Sequence, residues 1–485
     1  MKFSYLCILK MNHFMKLKLS LVFVLMLMLS GSVLAESVDE TTARSVAAHF
    51  YSMNSKSSVK SSDVKLVYSG ETLRDEKNTV PSFYVFNINT EGFVIVAGDN
   101  RMQPVLAFSD EGPFVSDDMP AHIRFFLDGY AEEIRYIIRH QERSDMAVMQ
   151  QWKNLLSGTS SGTEEGEVVV GPLLGGNKWN QTQYYNDLCP ADATGNPAYG
   201  GHAAAGCGAV VMGQVMRYWH YPATGAGNHS YSSNYGTLSA NFGETDYRYD
   251  IMPDKLTASS HPDSCVEAVA TLLYHCGVSV NMYYGPAASV ANSNNIVAAL
   301  STYFRYPETV LYIERGSIPY TTWLSYLKDE LDDGAPFMYG GSGNYGGHVW
   351  TCDGYRDDNY FHFNWGWGGQ QNGYFALTNC SSYGFNSNHA VIIGIRGPEL
   401  PVDIEGNNAQ KVLVYPNPTD GMVCLSCDPR QVKEVQLFDL SGKMLLRQCV
   451  CRGDVSIDLS TCSAGIYFLR ILGENGVEIR KIVKE

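Results

Sequence analysis

Two stretches of this sequence carry side chains that could perform nucleophilic chemistry. The first is Gly206-Cys207-Gly208-Ala209-Val210-Val211-Met212-Gly213-Gln214-Val215-Met216-Arg217-Tyr218-Trp219. Behind the glycines the apolar residues recur at helical spacing, which puts Cys207 at or just before a helix N-terminus. Unpaired N–H groups and the helix dipole there favour thiolate over thiol, and a thiolate is the nucleophile that attack on a peptide carbonyl needs. Such a cysteine can equally be a small buried packing residue, so a base must be found. Gly346-Gly347-His348-Val349-Trp350-Thr351-Cys352-Asp353-Gly354-Tyr355 reads as a strand carrying His348. A turn through Asp357-Asp358-Asn359 then returns the chain as Tyr360-Phe361-His362-Phe363-Asn364-Trp365-Gly366-Trp367-Gly368-Gly369, which can bring Asn364 or Trp365 beside His348. An amide there would hold the imidazole in the tautomer whose other nitrogen faces the sulfur, and Trp365 would exclude water. Taken alone, His348 could also be a core histidine on a strand.

Three other histidines compete for the role of base. His202 lies five residues before Cys207, too near along the chain to approach its sulfur well. His389, in Asn388-His389-Ala390-Val391, has a strand context like that of His348 but no downstream Asn-Trp-Gly block, and ranks second. His362 alternates with the hairpin strand and reads as structural. Metal ligation is the rival use of these residue types. No His-Glu-x-x-His run occurs. Cys424-Leu425-Ser426-Cys427, Cys449-Val450-Cys451 and Cys462 have ligand-like spacing, but in a strand-rich tail of an exported chain they read as disulfides or free thiols. The sequence therefore assigns no metal and no cofactor. Arg452-Gly453-Asp454 reads as a turn.

The elements that must position these residues fall into segments. The first, residues 1–35, reads as a signal peptide: Lys16 and Lys18, an apolar run from Leu19 to Leu29, then Gly31-Ser32-Val33-Leu34-Ala35 with cleavage after Ala35. Export leaves eleven of the 12 cysteines, an odd number, so at least one thiol is unpaired or pairs between molecules. Residues 36–166 carry helical patterns over 41–52 and 121–151 around strand-like stretches at 82–87 and 92–97, and end in a Ser/Gly-rich linker at 157–166. Residues 167–398 hold the candidate chemistry. An acidic connector, 399–409, leads to 410–485, whose short alternating strands suggest a small β-sandwich. Of the 485 residues 45% are apolar and only 18% charged, which argues against disorder or a coiled coil. The formal net charge of −15, with no basic patch, argues against nucleic-acid binding.

Trp179-Asn180-Gln181, Gly206-Cys207 with its helix, Gly347-His348 and Asn364-Trp365-Gly366-Trp367-Gly368-Gly369, in that order, resemble the streptopain family of papain-like cysteine proteases. The resemblance covers roughly 167–398. It implies a papain-like α+β fold with a helical half carrying Cys207, an antiparallel barrel-like half carrying His348, and a cleft between them. It also implies that Cys207 is the nucleophile, His348 its general acid/base and Gln181 the oxyanion-hole amide; Asn364 and Trp365 fall where the family orients and shields the histidine. Tyr84-Val85-Phe86-Asn87, Gly92-Phe93-Val94-Ile95-Val96-Ala97-Gly98-Asp99 and the run from Pro104 to Asp110 look like the inhibitory propeptide of this class. Val414-Tyr415-Pro416-Asn417-Pro418, Leu440-Ser441-Gly442-Lys443 and Gly465-Ile466-Tyr467-Phe468 are similar to the C-terminal sorting domain of bacterial type IX secretion. The expected function is a secreted or surface-exposed thiol endopeptidase made as a zymogen, with protein or peptide substrates, its own propeptide as inhibitor and the outer-membrane secretion machinery as partner. Acyl transfer by the same dyad, or a surface adhesin with a non-hydrolytic protease-like domain, are the rivals.

Overall fold

The computed structural model describes residues 37–484 apart from 56–58, 75–78, 118, 159–165, 258–261, 344–345, 378–387, 398–412, 416, 427–431, 440–442, 450–454 and 474–475. The expected signal peptide, most of the Ser/Gly linker, the acidic connector, Cys427, Cys451 and the Arg-Gly-Asp turn lie outside the described residues.

In the N-terminal segment, helix α1 (Glu40–Ser55) packs on an antiparallel run of β1 (Val64–Ser69), β2 (Phe83–Ile88), β3 (Gly92–Ala97) and β4 (Val105–Ser109). β3 and β4 are buried throughout, as their unbroken apolar sequences require. The single helical pattern expected over 121–151 is two helices, α2 (Ala121–His140) and α3 (Met146–Ser157). Gln141 closes the first in the left-handed conformation, with φ 50°, and the Asp145 carboxylate caps the second by accepting from the Ala147 N–H. The side-chain acceptor satisfies one of the open N–H groups of α3, so the helical periodicity restarts in a new direction.

The middle segment has a helical layer of α4 (Cys207–Trp219), α5 (Asp263–Ser279) and α6 (Ser293–Phe304), while α7 (Tyr320–Asp332) packs into a different core through Trp323, Leu324 and Leu327. Its strands are β5 (Leu311–Glu314), β6 (Phe337–Gly343), β7 (Gly346–Arg356), β8 (Tyr360–Asn364), β9 (Gly373–Ala376) and β10 (His389–Ile393). The two sets of strands form one 11-stranded sheet in the order β1-β2-β3-β4-β9-β8-β7-β6-β10-β5, with the short strand Val168–Val170 pairing β7. The junction is the antiparallel pairing of β4 with β9, Phe108 opposite Tyr374 and Ala107 opposite Phe375. The N-terminal segment thus covers an edge that the middle segment would otherwise expose.

Alternation along the shared strands divides the interior. Met338, Val349 and Ile392 point to the layer of α4, where they join Val210, Val211 and Leu272 in one core. Tyr339, Trp350, Cys352 and Val391 point to the opposite face and join Phe126, Tyr130, Phe363 and Trp365 in another. A third core lies in the C-terminal segment, between a sheet of β11 (Leu413–Tyr415), β12 (Met422–Ser426) and β15 (Val455–Asp458) and a sheet of β13 (Val432–Asp439), β14 (Met444–Cys449), β16 (Gly465–Gly473) and β17 (Gly476–Lys484). Cys424 and Cys462 in that segment are free thiols. The fold is α+β, with helices and antiparallel sheet in the first two segments and a β-sandwich at the C-terminus.

Candidate active site

Cys207 is the first residue of α4, and the backbone there needs Gly206. Gly206 sits at φ 91°, and a Cβ on it would lie 2.8 Å from Met282 Cε and 3.2 Å from the Ser289 carbonyl oxygen. Only glycine enters the helix in this way without strain. Cys207 is partly exposed, yet close packing strips enough water from its sulfur to push the thiol above the ordinary cysteine value; the N–H groups of Val349, Gly208 and Cys207 itself pull the other way and do not prevail. The thiolate expected from the helix N-terminus is therefore not favoured in this state. Desolvation outweighs the backbone donors.

Strand β7 carries His348 in register with Gly341 of β6, and Gly341 in turn pairs with His389 of β10. Directly opposed residues of antiparallel strands share a face, so His348 stands on the face of Trp350 and His389, while Val349 and Thr351 turn to α4. That face is occupied by α2 of the N-terminal segment. A Cβ on Gly341 would lie 2.4 Å from Phe125 Cε1 and 3.4 Å from His389 Cδ2, so the missing side chain is what lets Phe125 lie on the sheet beside the histidine row. Next to Phe125, Phe126 packs edge-on against Trp350, Phe363, Trp365 and Phe375 at centroid distances of 5.9, 5.4, 5.8 and 5.6 Å.

Gln181 is buried, and its carbonyl accepts from the N–H of Ala205, which ties it to the loop leading into Cys207. Its side-chain amide has no hydrogen-bond partner among the described residues, leaving a donor uncommitted near the nucleophile. Trp365 is fully buried, donates from Nε1 to the Gln371 carbonyl at 2.9 Å and lies 4.9 Å from the Trp350 ring, on the His348 face. Asn364 falls on the other face. It pairs with Thr351, its Nδ2 donates to the Asn177 carbonyl at 2.7 Å, and its Oδ1 accepts from Gln214 Nε2 at 3.0 Å and from the Gly366 N–H at 3.1 Å. Its amide is thus bonded to Asn177, Gln214 and Gly366.

The competing histidines have other partners. His202 Nδ1 bonds the Cys189 carbonyl at 2.8 Å. His389 is buried, bonds Tyr339 Oη at 2.8 Å, and is pushed down to about 3 by burial with help from Arg315, so it stays neutral. His362 lies between two carboxylates, Nδ1 to Asp353 Oδ1 at 2.6 Å and Nε2 to Glu111 Oε1 at 2.9 Å. Burial alone would lower it, but Asp353 and Glu111 together raise it to about 10, so it is a charged link between the N-terminal and middle segments. Sequence reasoning missed Glu111, Phe125, Phe126 and Gln214. Only for Gln214 was a signal present, its position seven residues after Cys207 on one helix.

Residues 179–375 match the Peptidase C10 family, residues 35–134 the Spi protease inhibitor family, and residues 413–485 the secretion system C-terminal sorting domain. Streptopain of Streptococcus pyogenes serotype M1 is 32% identical over 340 residues, 65% of this chain and 81% of streptopain. The thiol protease/hemagglutinin PrtT of Porphyromonas gingivalis is 32% identical over 329 residues, 64% of this chain; the chain spans only 37% of the length of PrtT. Among solved structures, a fragment of Prevotella intermedia prointerpain A aligns with a TM-score of 0.55 at 27% identity, covering 68% of this chain and 100% of the fragment. With four-fifths of streptopain covered at that identity, the chain belongs to the peptidase C10 family, the streptopain family of cysteine peptidases.

Proposed function

We propose that this chain is a secreted cysteine endopeptidase held as a zymogen, with Cys207 as nucleophile and His348 as general acid/base. The carrying observation is α2 of the inhibitor-like segment lying on the sheet face of His348, with Phe125 against Gly341. In this state the Cys207 thiol is pushed up by burial and takes its bonds from backbone N–H groups. Removing the segment after cleavage within 157–166 frees the His348 face, and the start of β7, whose Val349 N–H already bonds the Cys207 sulfur, then rearranges to bring the imidazole to Cys207. The thiolate then attacks the peptide carbonyl and forms a tetrahedral intermediate, whose oxyanion meets the Gln181 amide and the Cys207 N–H. His348 protonates the departing amine, and it next activates water to hydrolyse the thioester. Trp365 shields the histidine from water. A cavity of about 80 Å³ beside His348 and Val349, lined by Ser293, Met338, Asn388 and Ile392 among others, offers room for one small substrate side chain. The signal peptide and the sorting segment carry the chain out of the cell.

Intact mass followed over time for residues 36–485, beside the Cys207→Ala chain, tests this function. Loss of the N-terminal segment under mild reduction in the wild type alone supports it. If both chains stay whole and a thiol-directed inhibitor fails to label Cys207, the domain only binds. If both are cut alike, Cys207 has no part in maturation. An amine acceptor that outcompetes water would instead mark an acyltransferase.

A further inference from the structure

Gln214 lies seven residues after Cys207 on α4, two turns along and on the same side of the helix. It is fully buried and every polar atom of its side chain is engaged. Its Oε1 accepts from Thr351 Oγ1 at 2.8 Å, and its Nε2 donates to Asn364 Oδ1 at 3.0 Å and to Asn177 Oδ1 at 3.1 Å. Thr351, Asn364 and Asn177 are themselves at most 2% exposed, and the Asn364 Nδ2 closes the ring by donating to the Asn177 carbonyl at 2.7 Å.

Each member belongs to an element that carries one piece of the proposed machinery. Gln214 shares α4 with Cys207, and Thr351 is three residues after His348 on β7. Asn364 precedes Trp365, and Asn177 is four residues before Gln181. The two halves of the fold also meet through apolar side chains such as Val349 and Val210, which fix distance but tolerate sliding. A buried amide with three directional bonds does not tolerate it, because a shift that breaks one bond strands polar groups away from water.

We infer that Gln214 is a positioning residue that fixes the Cys207 helix, the His348 strand and the Gln181 loop in one register through a buried hydrogen-bonded ring with Thr351, Asn364 and Asn177. This rests on the cysteine-peptidase function proposed above. Asn364 is one corner of the ring.

The test uses the full exported chain with Gln214→Met, Thr351→Val and Thr351→Ser, each matured in trans by tagged wild-type enzyme that is then removed. Kinetics on a short peptide substrate are read together with the pH profile of Cys207 alkylation by iodoacetamide. In Gln214→Met kcat is expected to fall at least thirtyfold with KM within threefold, and the fast low-pH alkylation that reports a thiolate–imidazolium pair to weaken. Thr351→Val should show a smaller loss of the same kind, Thr351→Ser should recover most of it, and Gln214→Met with Thr351→Val should be no worse than Gln214→Met alone. Wild-type kcat and alkylation in Gln214→Met, losses that multiply in the double variant, or a rise in KM alone overturns the inference. If Gln214→Met does not fold, the contrast between Thr351→Val and Thr351→Ser decides it, equal activity of the two being the overturning result. A wild-type chain without Cys207-dependent hydrolysis removes the proposed function itself, whereas failure confined to the Gln214 and Thr351 variants removes only this inference.

Discussion

Replacing Phe126 by alanine takes away the ring at the centre of the contact between the N-terminal segment and the catalytic sheet. Phe126 is 5% exposed, and its ring neighbours are Tyr130 in its own helix and Trp350, Phe363, Trp365, Phe375 and His389 in the catalytic segment. Truncating a buried Phe to Ala costs about 3–5 kcal/mol. Because most of the lost partners lie across the contact, most of that cost falls on docking rather than on the segment's own folding. At about 1.4 kcal/mol per tenfold, a loss near the lower end weakens docking on the order of 10²-fold. The assay titrates matured enzyme with the cleaved segment, wild type or Phe126→Ala, and reads residual peptide hydrolysis; in parallel, self-conversion of the full chain is followed by intact mass. The inhibition constant should rise by roughly two orders of magnitude, and conversion should begin earlier. A folded Phe126→Ala segment that inhibits within threefold of wild type would refute the assignment of α2 as the inhibitory element.

Three further outcomes are expected. Gln181→Ala should lower kcat on the order of 10²–10³-fold with little change in KM, as the loss of one oxyanion donor does; steady-state kinetics of the matured variant check it. Gly206→Ala should lower the thermal midpoint, since alanine at φ 91° meets both Met282 and the Ser289 carbonyl, at a cost of about 1–3 kcal/mol. The charged link at His362 gives a pH dependence. Its folded value near 10 lies above the unfolded value of about 6.5, so its stabilisation is complete below about pH 6.5 and is lost as pH rises through 10. Glu111 is raised by burial but lowered overall by His362 and Lys178, so its contribution is present above its unfolded value and lost as pH falls through the folded one. Thermal midpoints of the Cys207→Ala chain should therefore fall between pH 7 and 10, and Glu111→Gln should flatten part of that slope; an unchanged slope contradicts the link.

By itself the sequence determined the local parts of this protein. The apolar spacing after Gly206 announced α4 with Cys207 at its start, and the strand–turn–strand pattern from 346 to 364 announced β7 and β8. The short alternating runs after 410 announced the sandwich, because helix and strand periods are written within a dozen residues. The split of 121–151 into two helices was less legible, since Gln141 and Asp145 act through a left-handed closure and a cap that interrupt no apolar period. What the tertiary structure alone decided concerns partners far apart in the chain. Which residues of β7 share a face follows from its pairing with β6, which pairs in turn with β10, and its pairing with β8 sets Thr351 opposite Asn364. The joining of β4 to β9, the seating of Phe125 on Gly341, and the meeting of Glu111 with His362 all depend on long-range packing that no local period encodes. The protonation of Cys207 was decided in the same way. A helix N-terminus favours the thiolate, but the burial that reverses this comes from the walls of the folded site rather than from the helix.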